Sequence, residues 1–167
     1  MSLAAEFAES AEPTKDSMGP RDQWHSLRFD RRTRRITLMK IFKGNELPFR
    51  AADMNSFRGA AETKLLASSE GEVPVHVYHV RFESGARTNW HIHSGPQWLL
   101  ITEGRIRVQS WGEPAHDVSV GDAVVFAPGE KHWHGAVAGS RGVHLAVNVN
   151  VKTEWLEPVS DDDYSRP

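Results

Sequence analysis

Two histidines stand two residues apart at His91 and His93, and a second such pair stands at His132 and His134. Residues i and i+2 of a β-strand leave the same face, so each pair would present two imidazoles toward one point. Gln97 follows the first pair after the reversal Ser94-Gly95-Pro96 and can lie beside it across an antiparallel ladder. Imidazole nitrogens with an amide oxygen make a neutral donor set, suited to a borderline divalent ion such as manganese, iron, cobalt, nickel, copper or zinc. With no anionic donor, the ion would keep its full charge and act as a stronger Lewis acid than the same ion beside a carboxylate. Four protein donors leave one or two positions of an octahedron open, and chemistry would take place there. His25, His76, His79 and His116 carry no such spacing and read as ordinary structural histidines.

Composition narrows the remaining choices. The 167 residues include nine histidines and no cysteine, which excludes a disulfide scaffold, a thiolate zinc site, an iron–sulfur cluster and a cysteine nucleophile. With 20 Lys+Arg against 22 Asp+Glu, the formal net charge is -2, so global charge does not argue for a nucleic-acid partner. No apolar run approaches the roughly 20 residues of a membrane helix. The first ten residues carry acids and lack the basic-then-apolar order of a secretory signal, so the expected location is cytoplasmic.

The donors need strands to hold them, and the chain supplies many short ones. Apolar or alternating runs are expected as strands near 64–67, 75–82, 88–93, 97–102, 105–110, 115–118, 123–127, 132–136 and 143–151. Turn signals separate them, among them Ser84-Gly85, Glu103-Gly104, Gly121-Asp122 and Pro128-Gly129. Short strands at such even spacing predict an all-β sandwich or barrel. Helix is expected only around 53–58. The first 35 or so residues are polar and hold the basic cluster Arg28, Arg31, Arg32, Arg34 and Arg35, which predicts a mobile arm with little regular structure.

With the donors and strands in place, the motifs resemble a known family. Gly85, His91-Ile92-His93, Gln97 and Gly104 resemble the first cupin motif, with Gln97 where glutamate is usual. Gly121-Asp122 followed by Ala127-Pro128-Gly129-Glu130-Lys131-His132 resembles the second, with alanine where proline is usual. The resemblance covers roughly residues 60–152. It implies an all-β cupin fold, a double-stranded β-helix of jelly-roll type, with a largely irregular N-terminal arm, and usually a homodimer. It also implies His91, His93, Gln97 and His132 as the metal ligands. The expected division is a flexible basic arm over 1–38, a cupin domain over 39–152 and an acidic C-terminal tail over 153–167.

The glutamine matters because a carboxylate can both hold an ion and accept a proton, whereas an amide can only hold the ion. That variant, with His144 further on, is similar to small bacterial cupins that include manganese-dependent hydroxynitrile lyases, so manganese is the expected ion. Parity places Asn89 on the face of His91 and His93 and sends Trp90 and Ile92 away. His144, Ala146 and Asn148 share one face, which the resemblance points inward, and Tyr78, Val80 and Phe82 can supply an apolar pocket wall. In a lyase reading the ion polarises a cyanohydrin hydroxyl and His144 takes its proton. His134 is then a second base or, preferably, a group orienting another ligand. An iron-dependent dioxygenase and a non-catalytic metal or small-ligand binder are the alternatives. In each case the partner is a small molecule, with no nucleic acid and no membrane. Trp90, Trp98 and Trp133 should point away from the ion and serve core or dimer packing.

Overall fold

The computed structural model describes residues 39–166, so the expected basic arm over 1–38 and His25 lie outside the described residues. After a 3-10 turn at Gly44–Glu46 the strands are β1 (Arg50–Ala51), β2 (Phe57–Arg58), β3 (Ala61–Ser69), β4 (Val75–Phe82), β5 (Arg87–Thr88) and β6 (His91–His93). They continue as β7 (Gln97–Ser110), β8 (His116–Ser119), β9 (Ala123–Phe126), β10 (His132–Ala136), β11 (Gly142–Val149) and β12 (Thr153–Trp155), and a short helix α1 (Asp161–Ser165) follows. The order across the curled sheet is β1-β3-β4-β11-β7-β10-β5-β2, with β8 and β9 added to β7, and β6 bridging β10 and β12. The all-β jelly-roll expectation holds.

Strand β7 organises the fold. Gln97, Leu99 and Ile101 are buried, whereas Ile106 and Val108 are buried farther along, so the inward positions change from odd to even numbers within one strand. The change falls at a bulge at Thr102, where Ile101 and Glu103 face consecutive residues of β11, and two residues on stands Gly104, whose φ is +64°. A Cβ there would come within 1.9 Å of the Arg141 carbonyl oxygen, so both the left-handed backbone and the close approach require glycine. Before the bend β7 pairs with β9 and β11; after it, with β8 and β10. The sequence suggested two strands joined by a Glu103-Gly104 turn, and the structure instead bends one strand between two sets of neighbours.

The inner face closes on a core that includes Val80, Phe82, Leu99, Ile101, Ile106, Phe126 and Ala146. A second cluster on the far side of β10 joins Trp90 and Trp133 to Val159 and Tyr164. Trp133 Nε1 donates to Gln109 Oε1 at 2.7 Å, and Tyr164 donates to the Ala136 carbonyl at 2.6 Å, so both buried aromatic polar groups are satisfied. Trp90 and Trp133 therefore turn away from the inner face as expected, while Trp98 is 45% exposed on the outer face.

Two local expectations are corrected. The helix expected at 53–58 is a turn running into β2, because Asp53 Oδ1 accepts from the Asn55 backbone N–H at 3.0 Å and closes an Asx turn instead. The segment expected as an acidic tail supplies β12 and α1. The helix is capped by Ser160, whose Oγ accepts from the Asp163 N–H at 2.9 Å, and Arg87 binds both the Val159 carbonyl and Asp161. Among the described residues no helix is long and apolar enough to cross a membrane.

Candidate metal centre

Strand pairing brings the separated donors together. His132 of β10 lies opposite His91 of β6 in antiparallel register, and both histidines of β6 are buried on the same face. Gln97 opens β7 beside them. The rings of His91, His93 and His132 have centroids 4.2 to 5.4 Å apart, and each offers a nitrogen lying within 4.8 Å of the others. The structure thus gathers the three histidines and Gln97 at one point.

Neighbouring acceptors set how each ring is presented. The Nδ1 of His91 meets the Asn89 carbonyl at 2.9 Å, and the Nδ1 of His132 meets the Glu130 carbonyl at 2.8 Å. A carbonyl can only accept, so both Nδ1 atoms carry the proton and both Nε2 atoms present a lone pair. His93 Nδ1 lies 2.9 Å from Thr153 Oγ1, which leaves its Nε2 facing the same centre, buried and without a hydrogen-bond partner. Gln97 Nε2 donates to Asn148 Oδ1 at 3.0 Å, which turns Gln97 Oε1 toward His132 Nε2, 3.2 Å away.

Two acceptors therefore face each other beside a third buried ring nitrogen that has no hydrogen-bond partner. Protonation is a poor remedy, since burial lowers the pKa of His93 and of His132 to about 4 and that of His91 well below its ordinary value. A divalent cation among these atoms satisfies all of them, and the neutral nitrogen and oxygen set fits a borderline ion.

The centre opens into a cavity of about 370 Å³. Antiparallel register builds one wall in rows: Gln97, Asn148 and His76 form the first, and Ala146 and Tyr78 the second, with Leu99 completing that row in the core. Of the expected pocket residues, Tyr78, Val80, Ala146 and Asn148 line the cavity. Phe82 does not; it is 1% exposed in the core, where it packs on the rings of His134 and His144. Asn89, between β5 and β6, is buried but donates its side-chain amide to the Asn55 carbonyl at 2.8 Å. His76, read from the sequence as structural, stands in the cavity wall.

His134 and His144 form a pair, with His134 Nδ1 and His144 Nε2 3.2 Å apart. His134 lines the cavity, and His144 sits behind it, fully buried. Burial lowers both pKa values, to about 3 for His144, so both rings are neutral at neutral pH. The remaining wall comes from residues that sequence reasoning did not single out, chiefly Phe57, Thr88, Thr153 and Trp155. Their positions follow from the pairings of β2 with β5 and β12 with β6, which no local periodicity announces.

Such a donor set at the open end of a double-stranded β-helix defines a cupin, and the cupin domain family profile matches residues 78–148. The chain belongs to the cupin family. It is 42% identical over 90 residues to an (R)-mandelonitrile lyase of Granulicella tundricola, a match covering 52% of this chain and 69% of that protein. A crystal structure of a cupin-like protein from Thermotoga maritima is 35% identical, with a TM-score of 0.67 over 75% of this chain and 95% of that one. A polyketide cyclase from Streptomyces resistomycificus shares the fold at 15% identity, with a TM-score of 0.61 over 76% of this chain and 91% of that one.

Proposed function

We propose that this cupin is a metal-dependent lyase of the hydroxynitrile lyase type, cleaving a cyanohydrin to an aldehyde and hydrogen cyanide. The observation that carries the reading is a buried, wholly neutral set of donors beside a cavity whose wall holds a further neutral histidine, His134, backed by His144. His91, His93, Gln97 and His132 would hold the ion, manganese in this reading, with iron, cobalt, nickel, copper and zinc as the other candidates. A bound ion supplies Lewis acidity that lowers the pKa of a hydroxyl beside it.

His134 accepts the hydroxyl proton at Nε2, since its Nδ1 is engaged with His144. The charge that develops on the imidazole is met by Nδ1–H donating to the His144 Nε2 lone pair. As the alkoxide electrons form the carbonyl bond, the bond to carbon of the nitrile breaks and cyanide leaves with its electron pair. His134 then returns the proton to cyanide. The sequence reading made His144 the base; the cavity favours His134 in contact with substrate and His144 as its support. The apolar wall of Val80 and Ala146 lets the uncharged aldehyde and hydrogen cyanide depart. Mandelonitrile is the probe suggested by the relative in Granulicella tundricola.

His134→Ala is expected to reduce mandelonitrile cleavage by roughly 100-fold or more while leaving bound metal at the parental ratio, measured by aldehyde release and elemental analysis. Parental activity in that variant would overturn the role of His134. If the metal-loaded parent cleaves no cyanohydrin but consumes oxygen when loaded with iron, the oxidative reading replaces this one. Purification without a stoichiometric ion would favour a binder. We also read the protein as a cytoplasmic homodimer with a small-molecule substrate. The exposed Trp98, Leu100 and Val125, adjacent on the outer face of β7 and β9, support self-association, which sedimentation tests directly.

A further inference from the structure

The cavity has one wall that the metal centre and its neighbouring histidines do not explain. Trp155 is 42% exposed at the cavity, a large apolar ring left half in water. Its ring centroid lies 4.8 Å from that of His91 on one side and 5.7 Å from that of Phe57 on the other, with tilts of 40° and 48°. The two rings touch each other, so they form a continuous aromatic wall rather than a slot. That wall begins at a metal-centre histidine and runs outward.

The position of Trp155 is fixed by backbone. β12 pairs with β6 so that Trp155 lies opposite His91 and Thr153 opposite His93. The Leu156 N–H donates to the Trp90 carbonyl at 2.8 Å, and the Trp90 N–H to the Glu157 carbonyl at 3.1 Å, which clamps the strand just past the tryptophan. Phe57 is held in turn by the pairing of β2 with β5, opposite Thr88. Both aromatic residues lie outside residues 78–148, the part that matches the cupin profile.

We propose that Trp155 and Phe57 form an aryl-binding subsite that selects substrates carrying a planar aromatic group on the carbon next to the reacting hydroxyl. This rests on the reading of the cavity as a site for small hydroxyl compounds. A ring packed on the wall removes the exposed indole from water and gains the edge or offset contacts that aromatic pairs favour. Because the wall begins at His91, an aromatic group carried close to a hydroxyl at the donor centre lies beside it.

Two unreactive alcohols of matched shape separate this from simple apolar burial, benzyl alcohol and cyclohexylmethanol. Area burial alone favours the more hydrophobic cyclohexyl compound, so a preference for benzyl alcohol reports the aromatic wall. With parent protein loaded with diamagnetic zinc and labelled at the indole nitrogens, benzyl alcohol is expected to shift the Trp155 N–H resonance and to bind about fivefold more tightly than cyclohexylmethanol. Trp155→Leu and Phe57→Leu should each bring that ratio to about one or below, and Trp155→Phe should retain it. A ratio unchanged in Trp155→Leu overturns the subsite, as does a parent that binds both alcohols equally. If Trp155→Leu fails to fold, loss or retention of the preference in Phe57→Leu decides the matter. The two readings can fail separately: aryl preference through Trp155 without cyanohydrin cleavage leaves the subsite standing and removes the lyase, and cleavage with an unaltered ratio does the reverse.

Discussion

At the residue scale, the chemistry depends on which atom each ring turns inward. The carbonyls of Asn89 and Glu130, two residues before each ring, take the Nδ1 protons of His91 and His132, so those orientations are almost local. His93 has no such carbonyl and relies on Thr153 Oγ1, supplied from β12. Thr153→Val, which keeps the shape and removes the oxygen, is therefore expected to weaken metal binding by about 10- to 100-fold with the fold intact, as read by metal titration and circular dichroism. Unchanged affinity would show that the strand pairing alone holds His93. The histidine spacing was legible because strand parity is a rule of two and the turns around it are rich in glycine. Thr153 was not, since its role depends on a pairing 60 residues away that leaves no mark on its own neighbourhood.

At the scale of elements, the same contrast governs β7 and β12. Alternation was visible in 97–102 and in 105–110, and Gly104 announced a reversal between them. Whether a left-handed glycine closes a hairpin or bends a strand is decided by the partners that arrive later, here β9 and β11 on one side and β8 and β10 on the other. β12 offers no alternation, because all three of its residues are exposed, and its sequence alone suggests a tail. Gly104→Ala tests the bend: the left-handed backbone and the 1.9 Å approach to the Arg141 carbonyl predict a loss of about 3 kcal/mol or more of stability. A urea midpoint close to that of the parent would mean that the two halves of β7 do not need this bend.

At the scale of the whole molecule, five buried histidines, His91, His93, His132, His134 and His144, have pKa values depressed by burial. In the unfolded chain they titrate near 6.5. Between that value and the lower folded ones, the unfolded state binds more protons, so stability rises with pH and falls as pH drops below about 6.5. Metal-free protein is expected to lose several kcal/mol between pH 7 and pH 5, at up to about 1.4 kcal/mol per pH unit for each histidine. Denaturant midpoints at the two pH values measure this. A flat profile would mean that the native rings take up protons as readily as those of the unfolded chain. Metal should move the loss to lower pH, because its ligands must be deprotonated to bind.

The pairing of β12 with β6 also sets an order of events during synthesis. Thr153 follows His93 by 60 residues, which at ~5–20 residues per second is roughly 3–12 s of elongation. For that interval a nascent chain already has His91, His93 and Gln97 but lacks the hydroxyl that holds one ring still. An ion that meets the chain early finds a histidine free to turn over, and one that meets it late finds a set geometry. An ion held at this centre would thus be discriminated most sharply once the final strand has been laid down.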